Sequence, residues 1–144
     1  MANWTGKART NYIMVKDVEA LKAKADEIGI TVHVHPENPS FVAFEPDQGD
    51  GGDFEHTFTD ENDVEIEWTW SELSEHFAEG QVLIVMTVGS ERTRYLTGFA
   101  QAVAWDGRVT SIDLNDIYLK ASQTFGVEKD RIAPAQCDTL PKVI

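Results

Sequence analysis

"QVLIVMTVGSERTRYLTGFAQAVAWDGRVTSIDL", residues 81–114, decides the fold class. Its opening "QVLIVMTV" is the most apolar run in the chain, and its length and β-branching predict a central strand. "GSER" at 89–92 turns the chain into "TRYLTGFAQAVAW", a long strand in which Gly98 is expected to mark a bulge. Asp106-Gly107 is a two-residue hairpin signal leading into "RVTSIDL". Strands joined by turns this short must run antiparallel, because parallel neighbours need a long crossover.

Upstream, "TNYIMV" (10–15) has the composition of a short strand, and "KDVEALKAKADEIG" (16–29) changes to helical spacing. Val18, Leu21, Ala25 and Ile28 fall on one helical face, with Asp17 as N-cap and Gly29 as the stop. "ITVHVHP" (30–36) alternates in period two and "SFVAFEP" (40–46) reads as another short strand, each closed by a proline. "DQGDGGD" (47–53) has loop composition. "DVEIEWTW" (63–70) alternates strictly, with Val64, Ile66, Trp68 and Trp70 expected inward and Glu65, Glu67 and Thr69 outward. "SELSEHFAEG" (71–80) reads as a short helix capped by Ser71. "LNDIYLKASQTFG" (114–126) reads as a helix capped by Asp113, with Leu114, Ile117, Tyr118, Ala121 and Phe125 on one face.

Meanders of strands with helices between and after them predict an α+β fold. The expectation is a single domain over 1–126, an antiparallel sheet of six or seven strands with three helices on one face, and an extended or loosely docked tail at 127–144. At 144 residues, 42% of them hydrophobic, the chain is long enough for one real core. No run approaches a membrane span of about 18 apolar residues, and "MANWTGKART" lacks the apolar segment of a signal peptide, so a soluble, cytoplasmic protein with no membrane partner is expected. Cys137 stands alone, which rules out an internal disulfide.

Charge is the most informative property. Residues 25–91 hold 17 Asp and Glu and no Lys or Arg, against a net charge of −13 for the whole chain. Such a field repels nucleic acid, so no direct nucleic-acid binding is expected, and it attracts basic surfaces over a Debye length of about 8 to 10 Å.

Searched for chemistry, the chain is sparse. "DQGDGGD" fails the EF-hand pattern, since the register from Asp47 puts Gly49, Gly51 and Phe58 at ligand positions, and the register from Asp60 puts Val64 at one. His33 and His35, at i and i+2 on a strand, are the best metal candidates but lack a third local ligand. Nucleophile and phosphate-loop signatures are absent, and no cofactor is implied.

The acids themselves are the candidate site. Asp60, Glu61, Asp63, Glu65 and Glu67, with Glu72 and Glu75 beside them, concentrate like charge where nothing local neutralises it. Duplex DNA carries one negative charge per about 1.7 Å of axis, so rows of carboxylates on a stiff scaffold can occupy a groove built for it. The stretches "ANWTGKARTNYIMVKDVEALKAKADEIG" (2–29) and "TRYLTGFAQAVAWDGRVTSIDLNDIY" (93–118) resemble small acidic accessory proteins of phages and plasmids. That resemblance implies a mobile-element protein, a class in which acidic inhibitors of host restriction or CRISPR enzymes are common, and it transfers no residue role. The leading expectation is therefore a non-enzymatic DNA mimic that binds a basic nucleic-acid-binding protein. Two competitors stand beside it: a homodimeric assembly module whose acids are solubilising, and a metal protein or enzyme using His33 and His35.

Overall fold

A computed structural model describes residues 4–46, 54–91 and 95–135. The loop at 47–53, the GSER end at Arg92 and the tail from 136, including Cys137, lie outside the described residues.

The chain is α+β with antiparallel sheets, but its strands divide among three sheets instead of forming one meander. The first sheet has the order β1 (Trp4–Thr10), β7 (Val82–Glu91), β8 (Tyr95–Ala104), β9 (Val109–Asp113). The second is β2 (Ile13–Met14), β4 (Phe41–Pro46), β3 (Ile30–Val34), and the third is the small pair β5 (Thr57–Thr59) and β6 (Glu65–Glu67). The split has a local cause at Asn11. Its side chain donates to Val82 O at 3.2 Å and accepts from Ile84 N at 2.8 Å, ending the β1–β7 ladder. The chain then turns away to pair Ile13 with Val42 in the other sheet.

The β7–β8 ladder runs unbroken from Val82↔Ala104 to Glu91↔Tyr95, so Gly89 to Glu91 extend the strand and do not turn. Gly98 is in register with Val88, and no bulge forms there. Its lack of a side chain serves another purpose: a Cβ would lie 3.1 Å from Leu114 Cγ, so the leucine can lie directly on the sheet. Asp106-Gly107 lies in the expected hairpin, but its loop has three residues, Trp105 to Gly107, since Ala104 N donates to Arg108 O; Gly107 takes φ +91°.

Helix α1 (Val18–Ile28) follows its sequence pattern. Asp17 Oδ1 accepts from Glu19 N and Ala20 N, and Gly29 closes the helix in the left-handed region at φ +80°. Leu21, Ala25 and Ile28 are buried in one continuous core with Ile13, Val42 and Phe44 of the second sheet, Leu83, Val85 and Val103 of the first, and Phe77. Full burial of side chains this size stabilises by about 1.5 to 3 kcal/mol each.

The other helices depart from expectation. α2 covers only Trp70–Leu73, capped by Thr69 and not Ser71, and a 3-10 turn (Ser74–His76) follows before Phe77 returns to extended backbone. Glu75 and Glu79 therefore do not share a helix. α3 (Asp116–Phe125) buries none of its residues, so the helices do not all pack on one face. Asp113 does not cap it; Asp116 Oδ2 instead accepts from Asp113 N at 2.7 Å. Beyond it, Lys129–Arg131 form a 3-10 turn and Ala135 N donates to Tyr118 Oη at 2.7 Å. Among the described residues, no helix is long and apolar enough to cross a membrane.

Candidate functional site

The acidic row is built on the β5–β6 hairpin. Glu65 and Glu67 pair across the ladder with Thr59 and Thr57, and both carboxylates are exposed. Side chains two apart on a strand share a face, which sets these two about 6.8 Å apart. Between them Ile66 points the other way, opposite Phe58, which packs against the core.

Asp60, Glu61 and Asp63 do not extend the strand; they form the turn that joins it. Asp60 Oδ1 accepts from Asn62 N at 2.8 Å and Val64 N at 3.0 Å, so this carboxylate holds the turn together. Asp63 sits at φ +60°, the left-handed region that Asp tolerates better than most residues. Its reversal of direction is why Val64 does not join the inward face and is 53% exposed. Glu72 lies on α2 and Glu75 on the 3-10 turn, both exposed, the latter 3.8 Å from His76 Nε2.

What stiffens the hairpin is beneath it. Trp68 and Trp70 are buried with ring centroids 4.9 Å apart at 81°, although only Trp68 continues the strand direction and Trp70 already begins α2. Phe54 meets Trp70 edge-on at 4.9 Å, and the His56 ring lies over Trp68 at 4.4 Å. The Trp68 indole N–H donates to Glu55 O at 2.9 Å, and His56 Nδ1 lies 3.1 Å from Trp68 O, fastening both ends of the hairpin base. Such aromatic pairs contribute about 0.5 to 1.5 kcal/mol beyond area burial.

Two clefts flank the row. One, of about 400 Å³, opens beside Glu67, walled by Trp68, Trp70 and Gln101 of β8. The other, of about 360 Å³, lies beside Glu65 and Glu55 against Ile28 and Gly29, the C-terminal end of α1, where helix carbonyls add partial negative charge. Neither cleft was readable in the sequence, because Gln101 and Gly29 reach the hairpin only through the tertiary fold.

The histidine pair separates. His33 Nε2 lies 2.6 Å from Glu45 Oε1, while His35 Nδ1 accepts from Glu37 N and Asn38 N and its ring meets Tyr12 edge-on. Among the described residues, no group of three His, Cys, Asp or Glu side chains gathers as a metal site.

Comparisons with protein-family profiles, curated proteins and solved structures find no match to this chain.

Proposed function

We propose that this chain is a non-enzymatic inhibitor carried by a mobile element, and that its acidic hairpin docks on the basic, nucleic-acid-binding surface of a host defence protein. The observation that carries the reading is the state of the carboxylates. Asp60, Glu61, Asp63, Glu65, Glu67 and Glu72 have no Lys or Arg within ion-pair distance among the described residues, although ion pairs form elsewhere at Glu19–Lys22, Glu27–Lys24 and Asp106–Arg108. Unneutralised acids gathered on one hairpin and the short helix that follows it raise the free energy of the isolated protein, and a basic partner removes that cost on binding.

Rigidity supports the same reading. A charged row on a stiff floor loses little conformational entropy when it docks, whereas a flexible acidic tail loses much. The clefts beside Glu65 and Glu67 offer lysine or arginine side chains of the partner a negatively charged recess, and the indole wall of the cleft beside Glu67 suits a guanidinium.

The test is capture from a nuclease-treated host lysate, washed at about 0.1 M and then about 0.5 M salt, where the Debye length shrinks towards a few ångströms. A nucleic-acid enzyme released both by salt and by added duplex DNA is the expected result. The double variant Glu65→Lys/Glu67→Lys should fold and lose that partner. Retention by the folded double variant would sink the proposal.

A further inference from the structure

The four-stranded sheet has two faces, and the described residues cover one of them. Leu83, Val85 and Val103 point into the core, while the alternate residues Met86 and Val88 of β7, Leu96 of β8 and Ile112 of β9 lie in water, with Met86 and Val88 each 58% and Ile112 66% exposed. The register aligns Met86, Ala100 and Ile112 in one row across three strands, so these residues form a continuous apolar strip. α3 carries the complementary surface. Ile117 is 59% and Phe125 75% exposed, eight residues apart on one helical face, and the helix packs chiefly on the 3-10 turn that follows it. Leu114, lying over Gly98, fastens the start of this helix to the open face.

We infer that a second copy of this chain covers the open sheet face, with α3 of each copy lying across the Met86–Ile112 strip of the other. The exposed side chains named above form two apolar surfaces, one on the sheet and one on α3, and an interface of roughly 800 Å² per partner is built when both are covered. Among the described residues, one chain presents both an exposed apolar helix face and an exposed apolar sheet face. A two-fold exchange covers both at once.

Charge also selects a second copy. The acidic hairpin sits on the core side of the first sheet, since Trp68 and Trp70 share the core with Leu83 and Val85. Joining two open faces therefore places the two acidic hairpins on the outside of the dimer. Sheets stack about 10 Å apart, so each hairpin lies more than a Debye length from its twin and two chains of like net charge associate without close repulsion. Lys7 and Arg9, opposite Val88 and Met86 on β1, border the strip with basic charge, to which the acidic first turn of the incoming α3, at Asp116, is complementary.

The inference is independent of the inhibitor reading, because its readout needs no partner protein. Light scattering on the full chain at micromolar concentration should give twice the chain mass. Met86→Glu and Phe125→Glu should each raise the dissociation constant at least about 30-fold, as loss of a central anchor does. Val64→Glu, on the hairpin, should leave it unchanged. With Cys137→Ser as background, mixing Met86→Cys chains with Phe125→Cys chains should give a cross-link between different copies. A monomer at these concentrations, a dimer indifferent to both Glu variants, or a doubly substituted Met86→Cys/Phe125→Cys chain that cross-links only within itself would each overturn the inference.

Discussion

The amide of Phe44 donates to the Thr10 hydroxyl at 2.8 Å, and this buried bond joins the two principal sheets. Thr10 ends β1 in the first sheet, Phe44 is central to β4 in the second, and the hydroxyl in turn donates to Asn11 O at 2.9 Å. Thr10→Val keeps the shape and removes the acceptor, leaving a buried N–H unpaired. The expected loss is about 1 to 3 kcal/mol, read from the urea midpoint, with Thr10→Ser close to wild type.

At the β8–β9 turn, Gly107 holds φ +91°, and a Cβ there would lie 3.1 Å from Ser71 Oγ. Ser71 Oγ itself donates to Gly107 O at 2.8 Å, fixing α2 to the turn. Gly107→Ala should cost about 1 to 2 kcal/mol from backbone strain alone. Placed in a Ser71→Ala background, the same substitution should cost less, because the steric part disappears while the strain remains. Chemical denaturation of the four-member cycle separates the two, and a purely additive cycle would refute the contact.

Asp106 has its pKa lowered, first by the side-chain hydrogen bond from Arg108, whose Nε lies 2.8 Å from Oδ2. A depressed folded pKa stabilises above the unfolded value, and that contribution disappears as pH falls through the folded one. Arg108→Ala should therefore move the Asp106 titration upward, towards the ordinary carboxylate range, and remove this acid-side dependence. A carbon-detected NMR titration reads it directly.

Trp68→Phe removes the indole N–H that donates to Glu55 O and part of the surface under His56. The base of the β5–β6 hairpin should loosen before the domain does. Hydrogen exchange at Trp68 N, bonded to His56 O at 2.8 Å, should accelerate more than exchange in β7, and partner capture should weaken with it.

Much of the fold was legible where chemistry acts locally. The caps of α1 at Asp17 and Gly29, the strands β3 and β4 and the Asp106-Gly107 hairpin each follow from a few adjacent residues, whereas the pairing of β3 with β4 does not. β1 is not legible in the sequence because Gly6, Ala8 and Thr10, which alternate with Lys7 and Arg9, are small and leave little apolar alternation to read. Alternation in 63–70 overstated its strand, since Asp63 at positive φ bends one end and Thr69 caps a helix at the other. The exposed acids of the site were legible from that same alternation, whereas the role of Asp60 as a turn brace was not. The apolar spacing of α3 is present in the sequence, but its packing is not: the helix buries none of its residues, and periodicity alone does not say whether an apolar face is covered.

The perpendicular indoles of Trp68 and Trp70 have a spectroscopic consequence. Two strong transition dipoles held 4.9 Å apart at 81° couple, and the coupled pair should add a circular-dichroism couplet to the backbone signal. The hairpin that carries Glu65 and Glu67 thereby contains its own optical gauge: docking or loosening changes the couplet while the helices and sheets report no change.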